Sequence, residues 1–276
     1  MKGMDLTGRV AVVTGGARGI GRATAAALRD AGARVAIGDI DADELATTAG
    51  QLGVLGGYLD VTDPYSIAGF RALVEEQIGP IDVWVNNAGI MPVGSLLEQD
   101  PRVIRRSVEI NLLGVIECSR IIARGMVTRG GGRIVNIASV AGRIPAAGMA
   151  VYSGTKFGVV GFGEALDAEL CDSDVRVSTV LPSFAATELI DGLQPGRGMD
   201  PVPPQRIADT VVKVLRKGKR SAVVPRRLSG ASAAWMHLPR PLARWLSRQV
   251  GLDRVFLTSN AGRAAYDRRI AKGRTS

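Results

Sequence analysis

The 276-residue chain contains a single histidine, His237, and two cysteines, Cys118 and Cys171. One imidazole leaves almost no room for a nucleophile-histidine-acid relay or a multi-histidine metal centre, so no metal site is expected. His237 reads as an ordinary surface or core residue. Both cysteines fall in helix-like stretches, which is neither a disulfide framework nor a metal-ligand spacing. A reducing, cytoplasmic setting is the corresponding expectation. No apolar run reaches the roughly 18 residues a membrane span needs. The opening MKGMDLTGRVAVVTGG runs straight into a strand pattern with no signal-peptide cleavage segment.

Acidic residues are scarce at one end only. Residues 216–276 carry 15 Lys/Arg and 2 Asp/Glu, a balance of +13, whereas the preceding 215 residues carry 20 and 24, a balance of −4. The net charge of +9 therefore belongs to the tail and not to the body. Hydrophobic content of 46% with 22% charged residues is ordinary for a soluble globular protein.

Glycine, by contrast, is abundant, with 35 residues that cluster where strands end. Residues 9–14 (RVAVVT) form a β-rich apolar run, followed by GGARGIG and the helical ATAAALRDAG. Gly15, Gly19 and Gly21 permit a tight turn and close backbone approach. The helix opening near Gly19 and Ile20 presents free N–H groups and a positive dipole end to a pyrophosphate. A second strand, RVAIGD, ends at Asp39, 20 residues past Gly19. That spacing suits a carboxylate bonding both ribose hydroxyls of an NAD adenosine, and the competing reading is a turn residue in GDIDADE.

Further strands are expected over 54–59, 81–85, 132–137, 175–181 and 221–224. Helices are expected from Asp63-Pro64, over 101–128 with Asn111 inside, and over 152–170 and 205–215. The alternation predicts an α/β domain, a doubly wound parallel sheet of about seven strands with helices on both faces. Asp39, Asp60, Asn86, Ser139 and Pro182 fall just past strand ends and should converge on one crevice.

The stretch SVAGRIPAAGMAVYSGTK supplies the chemistry. With Tyr152 opening a helix, Tyr152 and Lys156 stand one turn apart on one face. A free phenol is a poor base at neutral pH, and a nearby cation favours its ionised form. An isolated Y-x-x-x-K is more often a helix-start aromatic with a solvated charge; the other motifs reverse that balance.

Taken together, the chain resembles the short-chain dehydrogenase/reductase family over roughly residues 5–225. The likeness rests on Thr14-Gly15-Gly16-Ala17-Arg18-Gly19-Ile20-Gly21, Asp60-Val61, Asn86-Asn87-Ala88-Gly89, Asn111, Ser139, Tyr152-Ser153-Gly154-Thr155-Lys156, and Pro182 with Thr187. The resemblance implies a Rossmann-type domain over 1–225 with a basic, helical extension over 226–276. It makes Asn111, Ser139, Tyr152 and Lys156 a catalytic tetrad. Tyr152 exchanges the proton of the alcohol, Ser139 bonds the same oxygen, Lys156 holds the nicotinamide ribose and lowers the Tyr152 pKa, and Asn111 holds a water. Gly15, Arg18, Gly19, Ile20, Gly21, Asp39, Asp60, Val61, Asn87, Ala88, Gly89, Pro182 and Thr187 are implied to bind the dinucleotide, along with Tyr152 and Lys156. Family members have Pro-Gly after the sixth strand, where this chain has Pro182-Ser183.

Asp39 repels a 2′-phosphate and argues for NAD over NADP, while Arg18 is the residue that could face such a phosphate. Met91, Val93, Ile144, Met149 and Phe184 are the expected substrate contacts. Their segments are apolar, so a hydrophobic secondary alcohol or ketone is expected. Residues 187–204 are proline- and glycine-rich and read as a mobile lid. In the tail, Arg240, Arg244 and Arg248 face away from Leu242, Trp245, Leu246 and Val250. This basic amphipathic helix suits a partner subunit or the chain's own core, and alternatively the surface of an anionic membrane. Nucleic acid is not an expected partner, since aromatic interleaving is thin. By resemblance the protein forms a homodimer or homotetramer through the helices at 101–128 and 152–170. Competing functions are a redox-neutral epimerase or dehydratase on the same scaffold, and a non-catalytic dinucleotide-binding module.

Overall fold

Val10, Ala11, Val12 and Val13 are all fully buried, because their side chains alternate between the two faces of one sheet and helices cover both. The computed structural model describes residues 3–193, 200–257 and 261–271. Its strands are β1 (Val10–Thr14), β2 (Arg34–Asp39), β3 (Leu55–Tyr58), β4 (Val83–Asn86), β5 (Gly132–Ile137), β6 (Val175–Pro182) and β7 (Ser221–Val224). All pair in parallel, in the order β3-β2-β1-β4-β5-β6-β7. The helices of this core are α1 (Gly19–Asp30), α2 (Ala42–Leu52), α3 (Pro64–Gln77), α4 (Pro101–Val108), α5 (Gly114–Thr128), α6 (Ala150–Glu169) and α7 (Pro204–Lys217). Leu28 of α1, Leu45 of α2 and Val211 of α7 cover Ala11, Val13 and Ile37. On the opposite face Phe70 of α3 and Ile122 of α5 cover Val10, Val12 and Trp84.

The chain builds outward from β1 to β3 and then crosses back to place β4 on the other side of β1. The carboxyl ends of β1 and β4 therefore diverge at a topological switch point, where a ligand crevice opens.

Two departures from the sequence reading have local causes. The GDIDADE segment is not a turn alone, since Asp41 caps α2 by accepting from the Glu44 N–H at 3.3 Å, and Asp43 and Glu44 occupy the favoured first turn. The helix expected over 101–128 is broken by a π-turn, Glu109–Leu113, that contains Asn111.

After β7 come α8 (Ser229–Trp235), α9 (Arg240–Gln249) and α10 (Ala264–Ala271). Among the described residues no helix is long and apolar enough to cross a membrane. Part of the expected lid, residues 194–199, lies outside the described residues. Its flanks are packed: Glu188–Ile190 form a 3-10 turn, Leu193 is buried, and Val202 bridges Ala185.

Candidate functional site

The loops leaving β1 and β4 are tied to one another. The Asn87 side-chain amide donates to the carbonyls of Thr14 and Gly15 at 2.9 and 3.0 Å. The Thr14 hydroxyl accepts from the N–H groups of Asn87 and Ala88, both at 3.0 Å. A Cβ on Gly21 would lie 2.0 Å from the Gly15 carbonyl oxygen, so only glycine lets α1 start this close to the strand exit. Gly19 adopts φ +51°, and a Cβ there would stand 3.1 Å from the Thr187 methyl. Helix α1 has no side-chain cap, which leaves its first N–H groups available to an anion.

At the far end of the crevice Asp39 is fixed from two sides. Its Oδ2 accepts from the Ala17 N–H at 3.1 Å and its Oδ1 from the Asp41 N–H at 3.2 Å. Arg18 does not point into open space: its guanidinium lies 2.8 Å from Asp41 and 3.3 Å from Glu44. Asp60 accepts from the Thr62 N–H and hydroxyl at 2.9 and 2.7 Å. Val61 is buried beside Gly114, where a Cβ would approach the Val61 carbonyl to 3.0 Å. A glycine cradle that side chains would fill, an uncapped helix start and an anchored carboxylate together fit a dinucleotide.

Asn86 corrects the sequence reading. It is the last residue of β4, but its side chain turns into the core and not toward the crevice. Its amide donates to Ser119 and Asn136 at 3.0 and 2.8 Å, and its oxygen accepts from the Trp84 indole at 2.8 Å. The strand's alternation decides this, because Trp84 and Asn86 share one face.

Tyr152 and Lys156 lie one turn apart near the start of α6, both buried, with Nζ 5.7 Å from the centroid of the phenol ring. The Lys156 ammonium donates to the Ile137 carbonyl at 3.0 Å. The Ser139 hydroxyl donates to the Pro182 carbonyl at 3.4 Å and accepts from the Ala141 N–H at 3.1 Å. Asn111 is fully buried in the π-turn; its amide donates to the Ile90 carbonyl and its oxygen accepts from the Ile90 N–H, both at 2.8 Å. A Cβ on Gly89 would sit 3.1 Å from Asn111 Oδ1 and 3.7 Å from Lys156 Nζ, so the loop after β4 closes on the same group.

The electrostatics differ from the sequence expectation. Burial pushes the Tyr152 phenol well above its ordinary range, against the smaller downward pull of the Ser139 hydroxyl. Burial also pushes Lys156 down to about 8. In both groups the dominant cause is the loss of water around the charged form. The shift favours the protonated phenol.

The phenol and Ser139 open onto a cavity of about 280 Å³. Met91, Ile144, Met149 and Phe184 line it as expected, while Ile20 and Pro182 join it to the dinucleotide crevice. Val93 packs against the same apolar cluster but lines a neighbouring cavity. Ser183, the departure from Pro-Gly, fits without a left-handed backbone and donates its N–H to the Val224 carbonyl at 2.7 Å. What the sequence reading missed is the far wall, made by Leu228, Ala231, Trp235, Val250, Leu252 and Phe256 of the C-terminal extension. Of the apolar face that the sequence assigned to the tail helix, Leu242, Trp245, Leu246 and Val250, Val250 alone lines this cavity.

A family model described as short chain dehydrogenase matches residues 9–197. The 3-oxoacyl-acyl-carrier-protein reductase FabG of Vibrio cholerae is 36% identical over 193 residues, covering 69% of this chain and 79% of the relative. Cis-4-hydroxycyclohexanecarboxylate dehydrogenase of Sinomonas cyclohexanicum is 40% identical over 190 residues, 67% of this chain and 76% of the relative. Sorbitol dehydrogenase of Cereibacter sphaeroides is 37% identical over 193 residues, 69% and 75% of the two chains. A crystal structure of a short chain dehydrogenase/reductase from Burkholderia phymatum in complex with NAD shares the fold, with a TM-score of 0.77 at 24% identity over 85% of this chain and 95% of that one. The match through the sheet and glycine turn, and the identity to these relatives over most of their length, make this chain a member of the short-chain dehydrogenase/reductase family, an oxidoreductase acting on CH–OH groups.

Proposed function

We propose that the chain interconverts a compact, apolar secondary alcohol and its ketone, with NAD(H) as cofactor. One observation carries the reading: the Tyr152 phenol and Ser139 hydroxyl form the polar end of a cavity in which, among the described residues, the only other polar side-chain groups are the Ser183 hydroxyl and the Trp235 indole N–H. Tyr152 gives its proton to the ketone oxygen in reduction and takes it back in oxidation. Ser139 bonds the same oxygen as charge develops on it. Lys156 positions the dinucleotide ribose and steadies the phenolate form of Tyr152. Asn111 holds the loop after β4 against Lys156 through Ile90. The nicotinamide supplies the hydride acceptor or donor.

The preference for NAD is supported by Asp39, which its two backbone donors prevent from turning away, and by Arg18, which Asp41 and Glu44 already neutralise. The preference for a compact substrate is supported by a volume just below the roughly 300–1,000 Å³ range of ligand pockets. A polyol would leave hydroxyls without partners in such a chamber, at a cost of roughly 1–3 kcal/mol each. A single-oxygen ring alcohol leaves none.

The enzyme acts as a homodimer or homotetramer through α5 and α6, a reading supported by the exposed Leu113 at the end of the π-turn and the exposed Val127 of α5, and gel filtration as a monomer would refute it. Leu242 and Trp245 of α9 are also exposed beside Arg240, Arg244 and Arg248, which favours peripheral contact with anionic lipid. Equal vesicle pelleting of the full chain and a chain ending at Pro225 would dismiss that contact.

The test of the function is oxidation of cyclohexanol with NAD by the parent and by Tyr152→Phe. Turnover falls by roughly 10²–10⁴-fold while NAD affinity, read by calorimetry, is retained. Undiminished turnover in the variant, or redox-neutral conversion without net NADH, would overturn it.

A further inference from the structure

The C-terminal extension lies beyond the family match at residues 9–197, yet it supplies the far wall of the substrate chamber. Phe256 stacks on Phe184 with centroids 5.5 Å apart and planes 15° apart. Gly148 meets the Phe256 backbone so closely that a Cβ would lie 2.4 Å from its carbonyl oxygen, which a φ of +80° and the absence of a side chain permit. Behind this wall is Arg263, the one arginine among the described residues whose side chain is completely buried. Its guanidinium donates to the carbonyl of Leu189 at 2.7 Å and to the carbonyl of Met91, and lies 3.3 Å from the Asp267 carboxylate. It also stacks 4.7 Å from the centroid of Tyr266. Tyr266 completes the arrangement, because its hydroxyl accepts from the Met91 N–H at 2.8 Å. Both backbone groups of Met91 are thus held by the C-terminal segment. Arg269 pairs with Glu188 beside Leu189, which ties the roof of the chamber to α10 a second time.

We infer that Arg263 is a positioning residue that joins Met91, Leu189 and α10 into one rigid wall, and that Phe256, seated on that wall against Phe184, limits substrate size. The inference deepens the proposed alcohol–ketone function by naming what restricts it to compact substrates. A guanidinium suits this place because it offers several donors in one plane, so it can bridge carbonyls from two chain segments while its charge is balanced by Asp267. A buried charge at this position is costly unless all of these contacts form together, which makes the wall an all-or-none unit.

The experiment compares the parent with Phe256→Ala, Arg263→Met and Arg263→Lys. The first readout is the ratio of kcat/KM for 4-tert-butylcyclohexanol to that for cyclohexanol. The second is hydrogen exchange at the Met91 amide, which needs neither cofactor nor turnover. Phe256→Ala raises the bulky-to-compact ratio by roughly tenfold or more, a change within the range that pocket size produces. Arg263→Met raises the KM for cyclohexanol more than it lowers kcat and speeds exchange at Met91 by at least roughly tenfold, equivalent to about 1.4 kcal/mol of lost protection. Arg263→Lys, which keeps the charge, restores part of both. An unchanged ratio in folded Phe256→Ala would overturn the role of Phe256, and unchanged Met91 exchange in folded Arg263→Met would overturn that of Arg263. A parent that turns over no alcohol at all would instead count against the proposed function, and the exchange measurement would still decide the role of Arg263.

Discussion

Replacing Asp39 with alanine should loosen the discrimination against NADP, and the structure sets both the size of the effect and its controls. The carboxylate accepts from the N–H groups of Ala17 and Asp41, one on each oxygen, so it cannot rotate away from a group entering at the end of β2. Two unit charges about 4 Å apart repel by roughly 1 kcal/mol in bulk water and roughly 4 kcal/mol at an effective dielectric of about 20. The NAD-to-NADP ratio of kcat/KM on one alcohol should therefore drop by between about fivefold and nearly a thousandfold in Asp39→Ala. The lower end applies at high salt, where screening is strongest. Arg18 is the control. Burial works against its charge, but Asp41 and Glu44 together hold it above its ordinary pKa and occupy its guanidinium. Arg18→Ala alone should change the ratio by no more than about twofold, because the fork is already committed. Asp41→Ala combined with Glu44→Ala should free Arg18 and raise NADP use even with Asp39 intact. Initial rates followed by nicotinamide absorbance measure all four proteins. A parent that prefers NADP, or an Asp39→Ala ratio equal to the parent's, would refute the argument.

Two further outcomes follow from burial and close contact. Lys156, pushed down to about 8 from 10.5, carries a destabilising charge at neutral pH: the penalty is fully present below about pH 8 and is relieved as pH rises from about 8 toward 10.5, where the unfolded chain holds the proton more tightly. In urea unfolding, the stability of the parent relative to Lys156→Met should improve by about 2 kcal/mol between pH 7 and pH 9.5, and a difference that shrinks or stays flat over that interval would contradict this. Gly21→Ala places a carbon 2.0 Å from the Gly15 carbonyl oxygen; calorimetry should show NAD binding weakened by roughly tenfold or more, and a variant that binds NAD as the parent does would show the α1 start to be less rigid than described.

The order of strands and helices was legible because each depends on signals a few residues long. Asp63 and Pro64 mark the start of α3, the unbroken apolar run of residues 10–13 marks a strand covered on both sides, and glycines mark the turns between. Helix α2 was overlooked because the same acids that cap it also compose a turn, and only the contacts of Leu45 and Ala49 with the sheet decide between them. The π-turn at Asn111 was illegible for a related reason. No residue in EINLL forbids an α-helix, and the break is held by the bond from Asn111 to Ile90 across the chain.

The sequence by itself determined the parallel sheet, the position of the crevice, and the group of Ser139, Tyr152 and Lys156, since local spacing and chain direction dictate all three. Tertiary structure alone decided that Arg18 is held by Asp41 and Glu44, that burial lifts the Tyr152 phenol, and that the basic tail walls the chamber beside it. These depend on contacts between residues far apart in the chain, such as Arg263 with Met91 across 172 positions. Side-chain pairing over that distance leaves no periodicity to read, because it is fixed by where the folded elements meet and not by the order in which they are written.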